Sequence, residues 1–275
     1  KACALTDHEV LSGLAEFYDL IKQHNNDNPN SFIKPILGNE IYLLPTEEET
    51  MELKNRNEKI DFYHCILLAK DKIGFTMLKE LSSRAWSRSF FYKGLERVPT
   101  YFSDIREVVN KYGRGHLIMS TACLGSMTAK KFLENDLDYV YDFWEWCLRY
   151  FDKDFYLELQ PSLNEEQIKY NKFLVEESSK WGIDYIITCD THYLEKKDRA
   201  THRAFLQSDR EEKDREVDDF YDSTYIHSIE ELYEKMNYLS REEIKKGIHN
   251  TNSIKDKVEY YSIWHDQVIP VSPLP

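Results

Sequence analysis

The sequence has no apolar run approaching the roughly 20 residues that cross a bilayer, and no secretory signal stands at its start. A membrane-bound role is therefore not expected. No two cysteines have the C-x2-C spacing of a zinc finger. The five present, Cys3, Cys65, Cys123, Cys147 and Cys189, are odd in number and widely scattered. That excludes a closed structural zinc module, argues against a disulfide framework, and leaves a reduced, cytoplasmic compartment as the expectation. Positive charge is also in short supply: 36 Lys and Arg against 49 Asp and Glu give a net charge of −13. Sequence-independent nucleic-acid binding by bulk electrostatics is excluded, so any such contact must be local or metal-mediated. No internal repeat occurs at solenoid periods.

What is present is a globular composition. With 275 residues, 41% hydrophobic and 14% aromatic, the chain can bury a core as one large domain or two small ones. An apolar run at 2–5 places the start of the chain inside a strand, which ends in Thr6-Asp7-His8. Leu11, Leu14, Phe17, Tyr18 and Ile21 recur at helical intervals and predict a helix over 10–24. A second apolar run, 33–37, leads into Gly38-Asn39-Glu40 and is extended by 41–44. The stretch 45–59, dense in Glu, Asn and Lys, reads as an exposed, mobile insertion. Further strands are predicted at 62–69, 117–123, 154–160 and 183–190. Helices fit 74–84, 103–112, 127–134, 138–151, 164–180, 196–207, 228–237 and 240–258, and 85–102 reads as irregular and aromatic. This alternation predicts an α/β fold with mostly parallel strands.

Four of the strands end in metal-binding residue types: Asp7-His8, Glu40, Cys123 and Asp190-x-His192. If the run before Asp190 is a strand, its period of two puts Asp190 and His192 on one side. Alone, D-x-H is more simply a solvated turn at a strand end. Ligands gathered at C-terminal strand ends are what a βα barrel produces. His64 breaks the pattern because it begins its apolar run, so either that strand runs the other way or His64 lies outside the site. Imidazole, carboxylate and one thiolate together suit Zn, Mn or Fe. Six candidates, His8, Glu40, His64, Cys123, Asp190 and His192, exceed what one tetrahedral ion takes, so two or more ions are expected. Adjacent ions generate hydroxide at neutral pH and stabilise charge on a phosphoryl oxygen. Asp7 suits orienting an imidazole as well as direct ligation. His24, His116, His202, His227, His249 and His265 read as surface or satisfied residues, and Cys65, Cys147 and Cys189 as core thiols.

In order along the chain stand Ala4-Leu5-Thr6-Asp7-His8, Gly38-Asn39-Glu40-Ile41-Tyr42 and Tyr63-His64-Cys65-Ile66-Leu67-Leu68-Ala69-Lys70. They are followed by Ser120-Thr121-Ala122-Cys123-Leu124, Phe155-Tyr156-Leu157-Glu158-Leu159-Gln160 and Asp190-Thr191-His192-Tyr193-Leu194. This ordered set resembles the polymerase and histidinol phosphatase (PHP) domain at the N-terminus of the bacterial DNA polymerase III alpha subunit. Phe90-Phe91-Tyr92-Lys93 and the stretch from Asp219-Phe220-Tyr221 to Glu231 look like that subunit rather than stand-alone PHP phosphatases. No long insertion separates His8 from Glu40, where one relative carries an exonuclease domain.

The resemblance implies a distorted, seven-stranded (βα) TIM-like barrel, N-terminally truncated, over 1–262, with a proline-rich connector at 263–275 leading toward a polymerase palm. It implies metal ligation by His8, Glu40, His64, Cys123, Asp190 and His192, and catalytic roles for Asp7, Asp190 and His192, with Asp7 matching the motif but no metal position. Two to three ions are implied in the complete site, Zn or Mn, with Mg or Fe as further choices. The implied reaction is removal of 3′-terminal nucleotides by metal-activated water. Implied partners are DNA at a primer 3′ end, the polymerase palm, the sliding clamp and other replisome subunits. Two departures stand out. The family's first strand, with an H-x-H pair and a following Asp, is expected before Lys1, and Glu9 occupies a position where the family usually has Gly.

Between 79 and 97, cationic residues interleave with Trp86, Phe90, Phe91 and Tyr92. Arg84, Arg88, Lys93 and Arg97 could track a single strand by phosphate contact and stacking. The plainer alternative is a helix–loop face with its aromatics packed inward. Two other functions stay open beside the exonuclease: a non-catalytic module bracing a polymerase, and a phosphoesterase acting on small molecules.

Overall fold

The computed structural model describes residues 1–208 and 219–269. The first half of the chain forms β1 (Ala2–Leu5), α1 (Gly13–Asp27), β2 (Lys34–Leu44), α2 (Glu47–Asn55), β3 (Tyr63–Ala69) and α3 (Lys72–Ser87). Next come β4 (Phe90–Tyr92), β5 (Leu95–Arg97), β6 (Pro99–Tyr101), α4 (Phe102–Tyr112), β7 (Leu117–Ser120), α5 (Met127–Leu133) and α6 (Leu137–Phe151). The remainder forms β8 (Phe155–Leu159), α7 (Glu165–Trp181), β9 (Tyr185–Ile187), α8 (Arg199–Ser208), α9 (Ile229–Lys235) and α10 (Arg241–Lys257).

Seven strands make one curled, half-barrel sheet in the order β1-β2-β3-β7-β8-β9, with β6 joined to β2. β2 is the spine: its first half pairs in parallel with β1, and its last residues pair in parallel with β6. The expectation of mostly parallel strands holds for β1–β2, β2–β6, β7–β8 and β8–β9. β3 is the exception, antiparallel to both β2 and β7. Of the two explanations for His64, the reversed strand is the one realised.

Period-two alternation divides the sheet into two faces. Cys65, Leu67, Met119, Leu157, Leu159 and Ile187 pack outward into the main core with Trp144, Tyr170, Leu78 and Leu81 from the helices. On the other face Ile36, Leu68, Ile118, Tyr156 and Ile186 form a smaller cluster closed by Ile254 and Val258 at the end of α10. A cavity of about 590 Å³ lies on that face, between β1 on one side and β9 with α10 on the other.

Three expectations need correction. The segment 45–59 contains the helix α2, because Thr46 caps it by accepting from the Glu49 N–H, three glutamates fill its first turn, and Thr50 is buried. Residues 85–102 contain a hairpin and a sheet strand: Lys93 (φ 50°) and Gly94 (φ 78°) form the two-residue turn that matches strand twist. The strand before Asp190 stops at Ile187. Of the expected connector at 263–275, residues 263–269 carry no regular structure and 270–275 lie outside the described residues, as do 209–218.

Candidate metal centre

The site grows from the spine strand. β1 runs parallel to β2, and beyond Leu5 the pairing resumes as an isolated bridge between His8 and Glu40. The Asp7 carbonyl accepts from the Glu40 N–H at 3.0 Å and from Asn39 Nδ2 at 2.8 Å, which fixes the loop bearing His8 against β2. β3 crosses the same point from the other direction, with Tyr42 opposite His64 in the register. Three elements therefore bring His8, Glu40 and His64 together, and one donor atom from each lies within 4.8 Å of the others. Glu40 Oε1 stands 2.7 Å from His64 Nδ1 and 3.8 Å from His8 Nδ1.

Cys123 joins from the loop after β7, its Sγ 3.4 Å from His64 Nδ1 and accepting from the Gly125 N–H. Gly125 is needed here because a Cβ at that position would meet the His64 ring at 3.0 Å. Asp190 and His192 line the same cavity as His8 and Glu40. A turn brings them together, not the strand period expected: Asp190 holds φ 43°, and the His192 Nδ1 lies 2.7 Å from the Asp190 carbonyl. The His192 backbone N–H is anchored on the Thr224 carbonyl at 2.8 Å. Left-handed backbone recurs beside the other groups, at Glu9 (φ 61°) and Ala122 (φ 56°). Non-glycine residues in this region are strained and persist where the surroundings over-determine them.

The electrostatics suit a cation. Burial lowers the pKa of His8, and lowers that of His64 to about 4, which favours the neutral form of both imidazoles at neutral pH. Burial raises Glu40 to about 7 and raises Asp190 in the same direction, with Glu40 adding to the effect on Asp190. Burial also holds the Cys123 thiol well above its ordinary value. Buried carboxyls and a thiol kept from ionising, beside two neutral imidazoles, form a donor set that a divalent ion would satisfy.

The remaining expected residues fall into place unequally. Asp7 lines the cavity, its Oδ2 lies where a Cβ on Gly13 would come within 2.7 Å, and its backbone carbonyl ties the loop to β2. Glu9 turns its carboxylate to the Val98 N–H at 3.3 Å, and burial pushes its pKa to about 8. Arg84 is held by Glu80 (2.7 Å) and Glu107 (2.6 Å), and Arg88 by Asp104 (2.5 Å). Lys93 stands exposed at the hairpin turn, while Arg97 lies over the Phe62 ring. Phe90 and Tyr92 are buried, whereas Phe91 is 70% exposed.

Three contributors were missed. Glu158 is buried on the cavity face and accepts from Ser120 Oγ, Gln160 Nε2 and Thr188 Oγ1. Its alternation with Tyr156 along β8 was the available signal. Tyr42 places its ring 5.5 Å from that of His8 and 5.1 Å from that of His64. His202, read as a surface residue, lies with its ring 5.7 Å from that of His192. Cys65 and Cys147 are buried as expected, but Cys189 is half-buried and lines the cavity.

Comparison with known proteins bears on this geometry. The family model described as the PHP domain matches residues 1–162. A protein of Bacillus subtilis (strain 168) called probable DNA polymerase YorL is 38% identical across 100% of this chain, which covers 22% of that protein. The DNA-directed DNA polymerase of Bacillus phage SPbeta matches to the same extent, 38% identity over 100% of the chain and 22% of the relative. The DNA polymerase III subunit alpha of Borreliella burgdorferi is 30% identical over 94% of the chain and 21% of its own length. The chain spans about a fifth of the length of these curated relatives.

Proposed function

This chain belongs to the PHP domain family and is homologous to regions of the DNA polymerase III alpha subunit and of a phage DNA polymerase, and from that premise we propose that it is a metal-dependent 3′→5′ exonuclease domain serving DNA replication. The observation that carries this reading is the meeting of His8, Glu40 and His64 within 4.8 Å, two of which, His8 and Glu40, line a cavity together with Asp190 and His192. The donor set fits Zn or Mn, with Mg or Fe as harder alternatives. A divalent ion bound there supplies hydroxide at neutral pH and neutralises charge on a phosphoryl oxygen. His8, Glu40 and His64 would hold one ion, with Cys123, Asp190 and His192 completing a site for two or three. Glu158, fixed by three donors, lines the same cavity as Glu40.

The open edge of β1 supports a further ligand-bearing strand. Ala2, Cys3 and Ala4 are exposed along that edge and face the cavity. A strand carrying the family's H-x-H pair would lie there, add its imidazoles to the centre, and extend the curled sheet toward a closed barrel. DNA at a primer 3′ end is the proposed substrate, and a polymerase palm, sliding clamp and other replisome subunits in the cytoplasm are the proposed partners. The test is degradation of mismatched primers by the complete natural protein with Mn or Zn. The expected result is trimming from the 3′ end that Asp190→Asn and His192→Ala reduce at least a hundredfold (about 2.7 kcal/mol of barrier). No trimming, or trimming indifferent to both substitutions, sinks the proposal.

A further inference from the structure

Arg97 differs from the other cations of its segment. Arg84 and Arg88 are neutralised by carboxylates at hydrogen-bond distance. The half-buried Arg97 guanidinium is instead stacked, with Cζ 4.7 Å from the Phe62 ring centroid and 6.0 Å from that of Tyr42. Its Nε is buried without a hydrogen-bond partner among the described residues. Glu9 feels the Arg97 charge electrostatically, but its Oε1 is taken by the Val98 N–H and it forms no ion pair with the guanidinium. Leaving a guanidinium donor unpaired in a partly desolvated place is costly, so the position calls for an anion that arrives from outside. Tyr42 links this place to the metal cluster, since its ring lies against both His8 and His64. The hairpin fixes Arg97 through its pairing with Phe90, which is buried beneath it.

We propose that Arg97 binds the phosphate of the nucleotide held at the centre, its planar fork offering paired donors to phosphate oxygens beside Tyr42, whose ring lies near both His8 and His64. The proposal rests on reading the centre as a phosphodiester site. A stacked, weakly hydrated guanidinium suits this role because it presents its donors in a fixed plane and loses little freedom on binding. It also supplies local positive charge in a chain whose net charge is −13. Among the four cations first considered for nucleic-acid contact, this assignment selects the one beside the metal cluster.

The test uses the complete natural protein loaded with Mn and thymidine 5′-monophosphate as probe. Paramagnetic enhancement of 31P relaxation reports phosphate at the centre and ignores DNA bound elsewhere. Arg97→Gln is expected to weaken the probe about tenfold, the scale of one charged hydrogen bond, with Mn stoichiometry unchanged. Arg97→Lys, which keeps the charge and most of the stem, is expected to fall between it and the parent, and Arg88→Gln to match the parent. No enhancement in the parent, an Arg97→Gln affinity within twofold of it, or loss of Mn on substitution would each overturn the proposal. Absence of exonuclease activity alongside Arg97-dependent probe binding would overturn the hydrolytic reading alone.

Discussion

Glu40 governs the charge state of the centre. Burial raises its pKa from 4.5 to about 7, with His8 opposing and Glu158 reinforcing the rise. The stability belonging to its protonated form is present below 4.5 and lost as pH climbs through about 7. His64 runs the other way: lowered from 6.5 to about 4, it contributes stability above 6.5 that is lost as pH falls toward 4. The two effects offset between these windows in the metal-free fold, but ion binding requires Glu40 ionised and finds His64 already neutral. Affinity for Mn should therefore rise by about tenfold or more per pH unit up to pH 7, with proton release. Calorimetric titrations in buffers of different ionisation enthalpy read this directly, and an affinity flat from pH 5.5 to 7 would refute it. At this scale the sequence was legible wherever a ligand type closed an apolar run, as at His8, Glu40 and Cys123. It named Asp190 and His192 as a pair but not the turn that joins them, because no side-chain pattern announces a left-handed backbone. It offered Arg84 and Arg88 as nucleic-acid contacts and gave no sign that Glu107 and Asp104 arrive from the next helix to neutralise them.

β9 shows how an element can lack a neighbour and still be satisfied. Its backbone groups turned away from β8 are taken by α10: Ile187 N–H donates to Thr251 Oγ1 at 2.9 Å, the same hydroxyl lies 2.9 Å from the Ile187 carbonyl, and Asn250 Nδ2 donates to the Tyr185 carbonyl at 2.8 Å. A helix thus seals one edge of the sheet. Thr251→Val keeps the shape but strands the Ile187 groups, and should cost about 1–3 kcal/mol. Chemical denaturation reads that loss, and a variant as stable as the parent would show the edge to be solvated instead. The helical pattern of α10 was plain from 240 to 258, but its sealing role was not, because partners 64 and 65 residues apart leave no local signal. The short strands β4, β5 and β6 were unreadable for another reason: three residues each span too little for a period of two to emerge. In α2, apolar content was the wrong guide, since a cap and acidic first turn start a helix that buries little.

Across the whole molecule the centre joins the loop after β1, the spine β2 and the reversed strand β3, so an ion there acts as a cross-link between distant parts of the chain. Saturation at a hundred times the dissociation constant should stabilise the fold by about 2.7 kcal/mol. Thermal melts with Mn and with a chelator measure the difference. Identical melts would mean that the cluster does not hold an ion in the native state. The class of fold was accessible from alternating periods, whereas the order of strands was not, because β6 returns to pair with β2 after two helices and a hairpin have intervened. The reversal of β3 carries one more consequence. It puts the end of β2 and the start of β3 at the metal end, so the connection containing α2 and the nearby hairpin stand at the rim of the centre. Residues gained at the exposed turn around Asn57, past the end of α2, cost chiefly loop-closure entropy, about 0.6 kcal/mol per doubling. Among descendants of this chain, the opening above the cluster has room to drift in size and reach while the elements that carry His8, Glu40 and His64 stay in register.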